Sequence, residues 1–417
     1  MTISQNKTFS IAFVLVLLLQ LYMPSFRYNI FFQIFVISIV FFVGKPIISK
    51  SIAVLIAPIV LATGIGFLPI LFNDYPLTNT IKDITHSIKP IVGIIVGYLL
   101  FRQVNDFKSF VKTVIIAGVA CAAFHSIRLL LFAGNSESVS DLRSFGLDNF
   151  LELFSLFFIL AAPKLFNEKL FKSKLSGNIM TFLLVFSNVF YFSRTMMVVF
   201  VIITLSIYGH TKLTIKSLKI IGILCVVVLS MYAYLYSIKI DRSGSGVETF
   251  FYKVKIAPEE LFKTKIDREN HQDLWDHWRG YEAKCAFQLM ETKPYSYLIG
   301  TGFGSQVNLR FKAPLGDSKT GMKYISELHN GYAYVWYKKG FIGLALVLFF
   351  LYQLYLFGYK KPINLQHEFL LKIISAIGLV YLFTTLTITG IYNSSDVISI
   401  VLGALLFFET KISAENK

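Results

Sequence analysis

Residues 326–358 read SELHNGYAYVWYKKGFIGLALVLFFLYQLYLFG. A polar threshold holding His329 and Asn330 leads to Lys338 and Lys339, and from 341 to 358 no residue carries a charge. A run of that kind suits the hydrocarbon of a bilayer, which takes about 20 apolar residues to cross. Similar runs fill most of the chain. They lie near 10–24, 28–43, 50–73, 87–101, 109–132, 149–165, 177–192, 195–209, 218–236, 367–389 and 392–409. The region 177–209 also reads as one helix with a break. The expected fold is an all-α polytopic membrane protein with about 12 transmembrane helices and one large helical outer loop.

Composition agrees. Of 417 residues, 55% are hydrophobic and 15% charged, and the mean hydropathy is +0.63. Soluble chains run near about 25% charged. The formal charge of +16 is spread in short clusters between apolar runs, which is the mark of membrane topology and not of a nucleic-acid surface. The three cysteines, Cys121, Cys225 and Cys285, offer neither a disulfide within the polar stretch nor a metal spacing.

Those clusters set the orientation. With the N-terminus cytoplasmic, the inner connections hold Lys45 and Lys50, then Arg102, Lys108 and Lys112, then Lys164, Lys169, Lys172 and Lys174. Further on they hold Lys212, Lys216 and Lys219, then Lys360, Lys361 and Lys372, with Lys417 in the tail. The division that follows is an N-terminal membrane region, 1–237, a large outer loop, 238–340, and a C-terminal membrane region with a short cytoplasmic tail, 341–417. The loop carries sixteen Lys/Arg yet falls outside, because long segments are translocated whatever their charge. Its length marks it as functional. Within it, 272–292 reads as one helix with Trp275, Trp278, Tyr281, Cys285 and Leu289 on a stripe and Arg279 beside it. Gly300, Gly302 and Gly304 lack the strand–helix setting of a nucleotide loop and read as tight turns.

Three residues are candidates for chemistry. Arg194 interrupts apolar sequence, where a guanidinium facing lipid costs about 2.5–3.5 kcal/mol; it faces a cavity or partner, or snorkels at the interface. Arg279 has Asp276 and Glu282 three residues away on either side as ion-pair partners, the alternative being an anion site. His329 alone reads equally as an interfacial residue. His125 and Arg128, one turn apart on the fifth span, are placed to meet an anionic group or only headgroups. No Asp-x-Asp occurs, so the usual metal–diphosphate clamp is missing.

Taken in order, Ser193-Arg194-Thr195, Arg279, the stretch from Pro294 to Gly304, and His329-Asn330 through Gly343 resemble the bacterial O-antigen ligase and O-antigen polymerase superfamily, membrane glycosyltransferases of the GT-C type. The motifs cover about the last 225 residues; the first 150 match only as a hydrophobic profile. The resemblance implies transfer of a glycan from undecaprenyl diphosphate to an acceptor sugar hydroxyl, at a site facing the periplasm from the inner membrane. The acceptor is a growing glycan or lipid A–core, and a chain-length regulator protein is an optional further partner. Arg194, Arg279 and Arg128 would bind the diphosphate, because guanidinium forks pair with phosphate bidentately. Ser193 and Asn330 would support them, and no metal or other cofactor is expected. His329 would take the acceptor's proton or contact a phosphate oxygen. Residues 330–339 would lie along the membrane interface, with Gly340 turning the chain into the next span. HNGYAYVWYKKGFIGL (329–344) favours polymerase over ligase. A lipid-linked oligosaccharide flippase or other transporter would show paired repeats and broken helices, and none is apparent. A sensor would need a cytoplasmic output domain.

Overall fold

A computed structural model describes residues 3–415 except 24–25, 45–46, 133, 135–138, 147–149, 168–169, 172, 243–246, 268 and 316–320. Lys45, Lys169, Lys172 and Lys417 therefore lie outside the described residues. The chain opens with α1 (Ile3–Tyr22), α2 (Phe26–Val43), α3 (Lys50–Ile65), α4 (Leu77–Val104), α5 (Phe107–Phe132), the short α6 (Val139–Ser144) and α7 (Leu151–Phe166). Then come α8 (Lys174–Phe190), α9 (Arg194–Ile207) and α10 (Ile215–Ser237). Short helices follow: α11 (Val247–Lys255), α12 (Ala257–Phe262), α13 (His271–Asp276), α14 (Trp278–Glu291) and α15 (Ser296–Ile299). A two-stranded antiparallel sheet, β1 (Val307–Ala313) with β2 (Met322–Ile325), precedes α16 (Gly331–Leu356), α17 (Leu365–Ile388) and α18 (Ile398–Glu415).

Each apolar run read from the sequence contains a helix. Six of them, among the described residues, are long and apolar enough to cross a membrane: α3 with the turn after it, α4, α5, α10, α16 and α17. The others are shorter or carry charge, so the sequence count of about 12 is not what helix length alone supports. The 177–209 region does break, at Tyr191–Ser193, where Phe192 has φ +43°. The loop read as helical also contains β1 and β2, and the helix read over 272–292 is interrupted at His277 (φ −120°, ψ 14°).

Helices come close where side chains are small. At Gly97 of α4 an added Cβ would fall 1.8 Å from the Ile400 carbonyl oxygen of α18. Close approach of this kind replaces the hydrophobic drive that lipid removes. At one end of the bundle, Tyr355 Oη donates to the Thr211 carbonyl (2.8 Å) and the Leu213 N–H to Tyr359 Oη (2.8 Å). The connections after α9 and α16 therefore meet at that end. At its other end α9 meets the polar segment, through Arg194 and Glu260.

Lys338 and Lys339, expected along the membrane interface, are enclosed by the fold. Both are buried in protein, 0% and 1% exposed. Lys338 Nζ donates to Asp83 Oδ2 of α4 (2.5 Å) and to the Ser305 carbonyl (2.6 Å), while the Gly304 N–H donates to the same Asp83 oxygen (2.7 Å). Removing one member of such a buried pair costs about 3–5 kcal/mol. The glycine turns, with φ +82°, +86° and +91° at 300, 302 and 304, thus fasten the loop to α4 and α16. Gly340 (φ 65°, ψ −172°) divides α16 into a first part, 331–339, and the apolar remainder.

Candidate functional site

The break after α8 gives Arg194 its position. Ser193 caps α9, its Oγ accepting from the Met196 N–H (3.4 Å), so Arg194 is the first helical residue and projects from the end of a span. Pro258 opens α12, a short helix that carries Glu260 to the same place. Arg194 Nη2 donates to both Glu260 oxygens (3.1 and 3.2 Å), and Arg279 Nη1 of α14 donates to Oε2 (2.6 Å). One carboxylate, 6% exposed, therefore holds two guanidiniums side by side.

Three residues beyond Arg279 on α14, Glu282 is 1% exposed and faces His329. Its oxygens lie 3.1 and 3.0 Å from His329 Nδ1, and Oε2 also accepts from the His329 N–H (3.0 Å). Asn330 caps α16, with Oδ1 accepting from the Tyr332 and Ala333 N–H groups (3.1 and 3.2 Å). The imidazole therefore stands just before a helix start, anchored through Nδ1, with Nε2 as its outward nitrogen. The Glu282 hydrogen bond raises the His329 pKa above its ordinary value, against the effect of burial.

Arg194, Glu260, Arg279 and His329 line one cavity of about 340 Å³, together with Arg143, Lys253 and the rings of Trp275 and Trp278. Four cations, Arg143, Arg194, Lys253 and Arg279, face two carboxylates, Glu260 and Asp276. Asp276 is already bound by Arg242 (2.7 and 3.0 Å), so the cavity keeps a positive excess. Burial lowers the Lys253 pKa, partly offset by Asp276 and Glu260. Among the described residues no group of three or more His, Cys, Asp or Glu is arranged to hold a metal ion.

Over residues 179–348, about two-fifths of the chain, the sequence matches the family model described as O-antigen ligase. The chain carries an O-antigen ligase domain. No curated protein and no solved structure matches it. The O-antigen ligase segment contains Arg194, Glu260, Arg279, Glu282 and His329. That domain and the long apolar helices together support a multi-pass membrane protein whose residues 179–348 are similar to the O-antigen ligase and polymerase type.

Of the residues singled out in the sequence, Ser193, Arg194, Arg279 and His329 share the cavity, and Asn330 sets the helix start beside it. Arg128 does not join them. Its guanidinium donates to the Phe145 carbonyl (3.0 Å) and lies over the rings of Phe124 and Phe145; Arg143 of α6 lines the cavity in its stead. His125 is buried against Ser187 (2.8 Å) and the Leu142 carbonyl (3.1 Å). Asp276 and Glu282, taken from spacing as Arg279's partners, bind Arg242 and His329 instead. Glu260 had no local signal at all, because it lies 19 residues from Arg279 and 66 from Arg194.

Proposed function

We propose that the O-antigen ligase domain transfers a glycan from undecaprenyl diphosphate to an acceptor sugar hydroxyl on the periplasmic side of the inner membrane, as an O-antigen or polysaccharide polymerase. The observation that carries this reading is the Arg194–Glu260–Arg279 cluster sharing one cavity with His329. As the glycosidic bond breaks, charge gathers on the leaving diphosphate, and prepositioned guanidiniums stabilise it most in the transition state. They supply the counter-charge that a metal would otherwise bring, so transfer is proposed to be metal-independent. Glu282 holds the proton of His329 on Nδ1, which leaves the Nε2 lone pair to accept the acceptor's proton. On this reading His329 acts as general base.

A surface-polysaccharide gel of a deletion strain tests the assignment. A polymerase leaves lipid A–core bearing a single repeat unit. Loss of all attached glycan, with lipid-linked polymer retained, would make the protein a ligase instead. Unaltered surface polysaccharide would remove both. A chelator tests the second part: activity that EDTA abolishes and Mg²⁺ or Mn²⁺ restores contradicts an arginine-only counter-charge.

A further inference from the structure

A second cavity, of about 260 Å³, meets the first at His329 and Ile388. Its walls come mostly from outside the O-antigen ligase segment: His86 of α4 and the connection between α17 and α18, with Thr389, Tyr392, Asn393 and Ser394. Only Glu327, Leu328, His329 and Tyr334 come from within it. We propose that this second cavity is the subsite for the acceptor sugar, with the Glu327 carboxylate accepting hydrogen bonds from the sugar's hydroxyls. The proposal rests on the glycosyl-transfer reading above.

Its chemistry differs from that of the first cavity in the direction an uncharged, hydroxyl-rich ligand needs. Among the described residues no arginine lines it. Lys82 Nζ (2.9 Å) and His86 Nε2 (3.1 Å) both contact Glu327 Oε1, and the Glu327 side chain stays 39% exposed. Burial works against the charge of Glu327, yet His86 and Lys82 outweigh it and hold the carboxyl down at about 2. It is therefore an acceptor of hydrogen bonds at any physiological pH, and hydrogen bonds to a charged oxygen are the stronger kind. Tyr334 and Tyr392, with ring centroids 6.3 Å apart, add aromatic wall for the apolar faces of a sugar ring. Asn393 and Ser394 add an amide and a hydroxyl, a mixture of apolar wall and few polar groups usual in small-molecule sites.

The connection that forms this wall is fixed to the histidine itself. The Thr389 N–H donates to the His329 carbonyl oxygen (3.1 Å). Beyond it, the Asn393 and Ser394 carbonyls accept from Lys89 Nζ (2.6 and 2.5 Å). A sugar seated there has one hydroxyl within the surroundings of His329, while the donor's diphosphate lies against Arg194 and Arg279. The hydroxyl proton passes to His329 Nε2 as the oxygen forms its bond to the anomeric carbon. The bond from that carbon to the diphosphate oxygen breaks, and its electron pair leaves with the diphosphate. Acceptor and leaving group then occupy different cavities with the reacting carbon between them, as an in-line displacement requires.

The test uses the purified full-length protein and lipid-linked repeat unit as donor. Acceptor is either the same repeat unit freed from its lipid or lipid A–core, so the two sources of sugar hydroxyl are read separately. KM is measured for donor and acceptor with Glu327→Gln and with Ser394→Phe, which crowds the opposite wall; thermal unfolding verifies that each variant is folded. Loss of one charged hydrogen bond predicts a rise of about tenfold or more in acceptor KM with donor KM unchanged. If Glu327→Gln does not fold, Ser394→Phe decides by the same criterion. An unchanged acceptor KM in the folded variants, or donor and acceptor KM rising together, overturns the subsite; loss of transfer in Arg279→Ala would still stand for the general reading. Absence of transfer to either acceptor by the unaltered protein removes both.

Discussion

A guanidinium and an ammonium carry the same charge in different shapes, and Arg194 is placed where the difference counts. Its Nη2 reaches both oxygens of Glu260 (3.1 and 3.2 Å) while Nη1 donates to the Lys253 carbonyl, and the two nitrogens together form a fork that suits a phosphate. Arg194→Lys keeps the charge and loses the fork, so we expect glycan transfer to drop by roughly tenfold or more with membrane insertion unchanged; a rate near wild type would make Arg194 a simple anchor. Glu282 makes a different prediction. It raises the His329 pKa, and a general base must be neutral, so the rate falls as pH drops through that raised value. Glu282→Gln removes the cause, so the acid limb of the pH–rate profile should move to lower pH. The maximal rate should fall by roughly tenfold, the value of one hydrogen bond to a charged group. A limb that stays in place would separate Glu282 from the base. The same pair favours folding below the ordinary histidine pKa, and that contribution is lost as pH rises through the raised one.

At the scale of elements, Gly340 decides whether α16 can serve both regions it joins. Its φ of 65° is a left-handed value, and a Cβ there would lie 2.2 Å from the Leu298 carbonyl carbon and oxygen. Gly340→Ala should lower the melting temperature of the purified protein by the equivalent of about 1–3 kcal/mol, the range for strained backbone; an unshifted melt would mean that α16 runs straight without harm. The turn at Gly340 was legible, since the sequence places a glycine between two lysines and an apolar run. What lay on either side of it was not. Sequence alone puts Lys338 and Lys339 at the interface because an isolated ammonium in a bilayer is costly, and it cannot show that Asp83, more than 250 residues away, compensates Lys338. Hydropathy found the helices because each apolar run reports its own surroundings. It could not find pairs such as Arg194 with Glu260, whose meaning depends on a partner in another helix. Spacing misled at Arg279 for the same reason: neighbours at three residues were available, but the fold had given them to Arg242 and His329.

Across the whole molecule, the contacts joining Thr211 and Leu213 to Tyr355 and Tyr359 bring two lysine-bearing connections to the end of the bundle opposite the arginine cavity. Labelling with a membrane-impermeant maleimide checks their side. In a Cys225→Ser background, which removes the exposed native thiol, Phe262→Cys should react in spheroplasts, while Lys212→Cys and Lys361→Cys should react only after lysis. Reaction at 212 and 361 alone would invert the proposed orientation, and reaction at all three would contradict the placing of the two ends on opposite sides. On this scale Glu260 also has a kinetic meaning. The arginines are never bare: an anionic ligand entering the cavity must exchange with a resident carboxylate, and the carboxylate is there to retake its place when the ligand goes. Under the proposed function, ground-state affinity for the lipid diphosphate is thereby lowered while release of the spent carrier is assisted, and Glu260 acts as the site's own displacing ion.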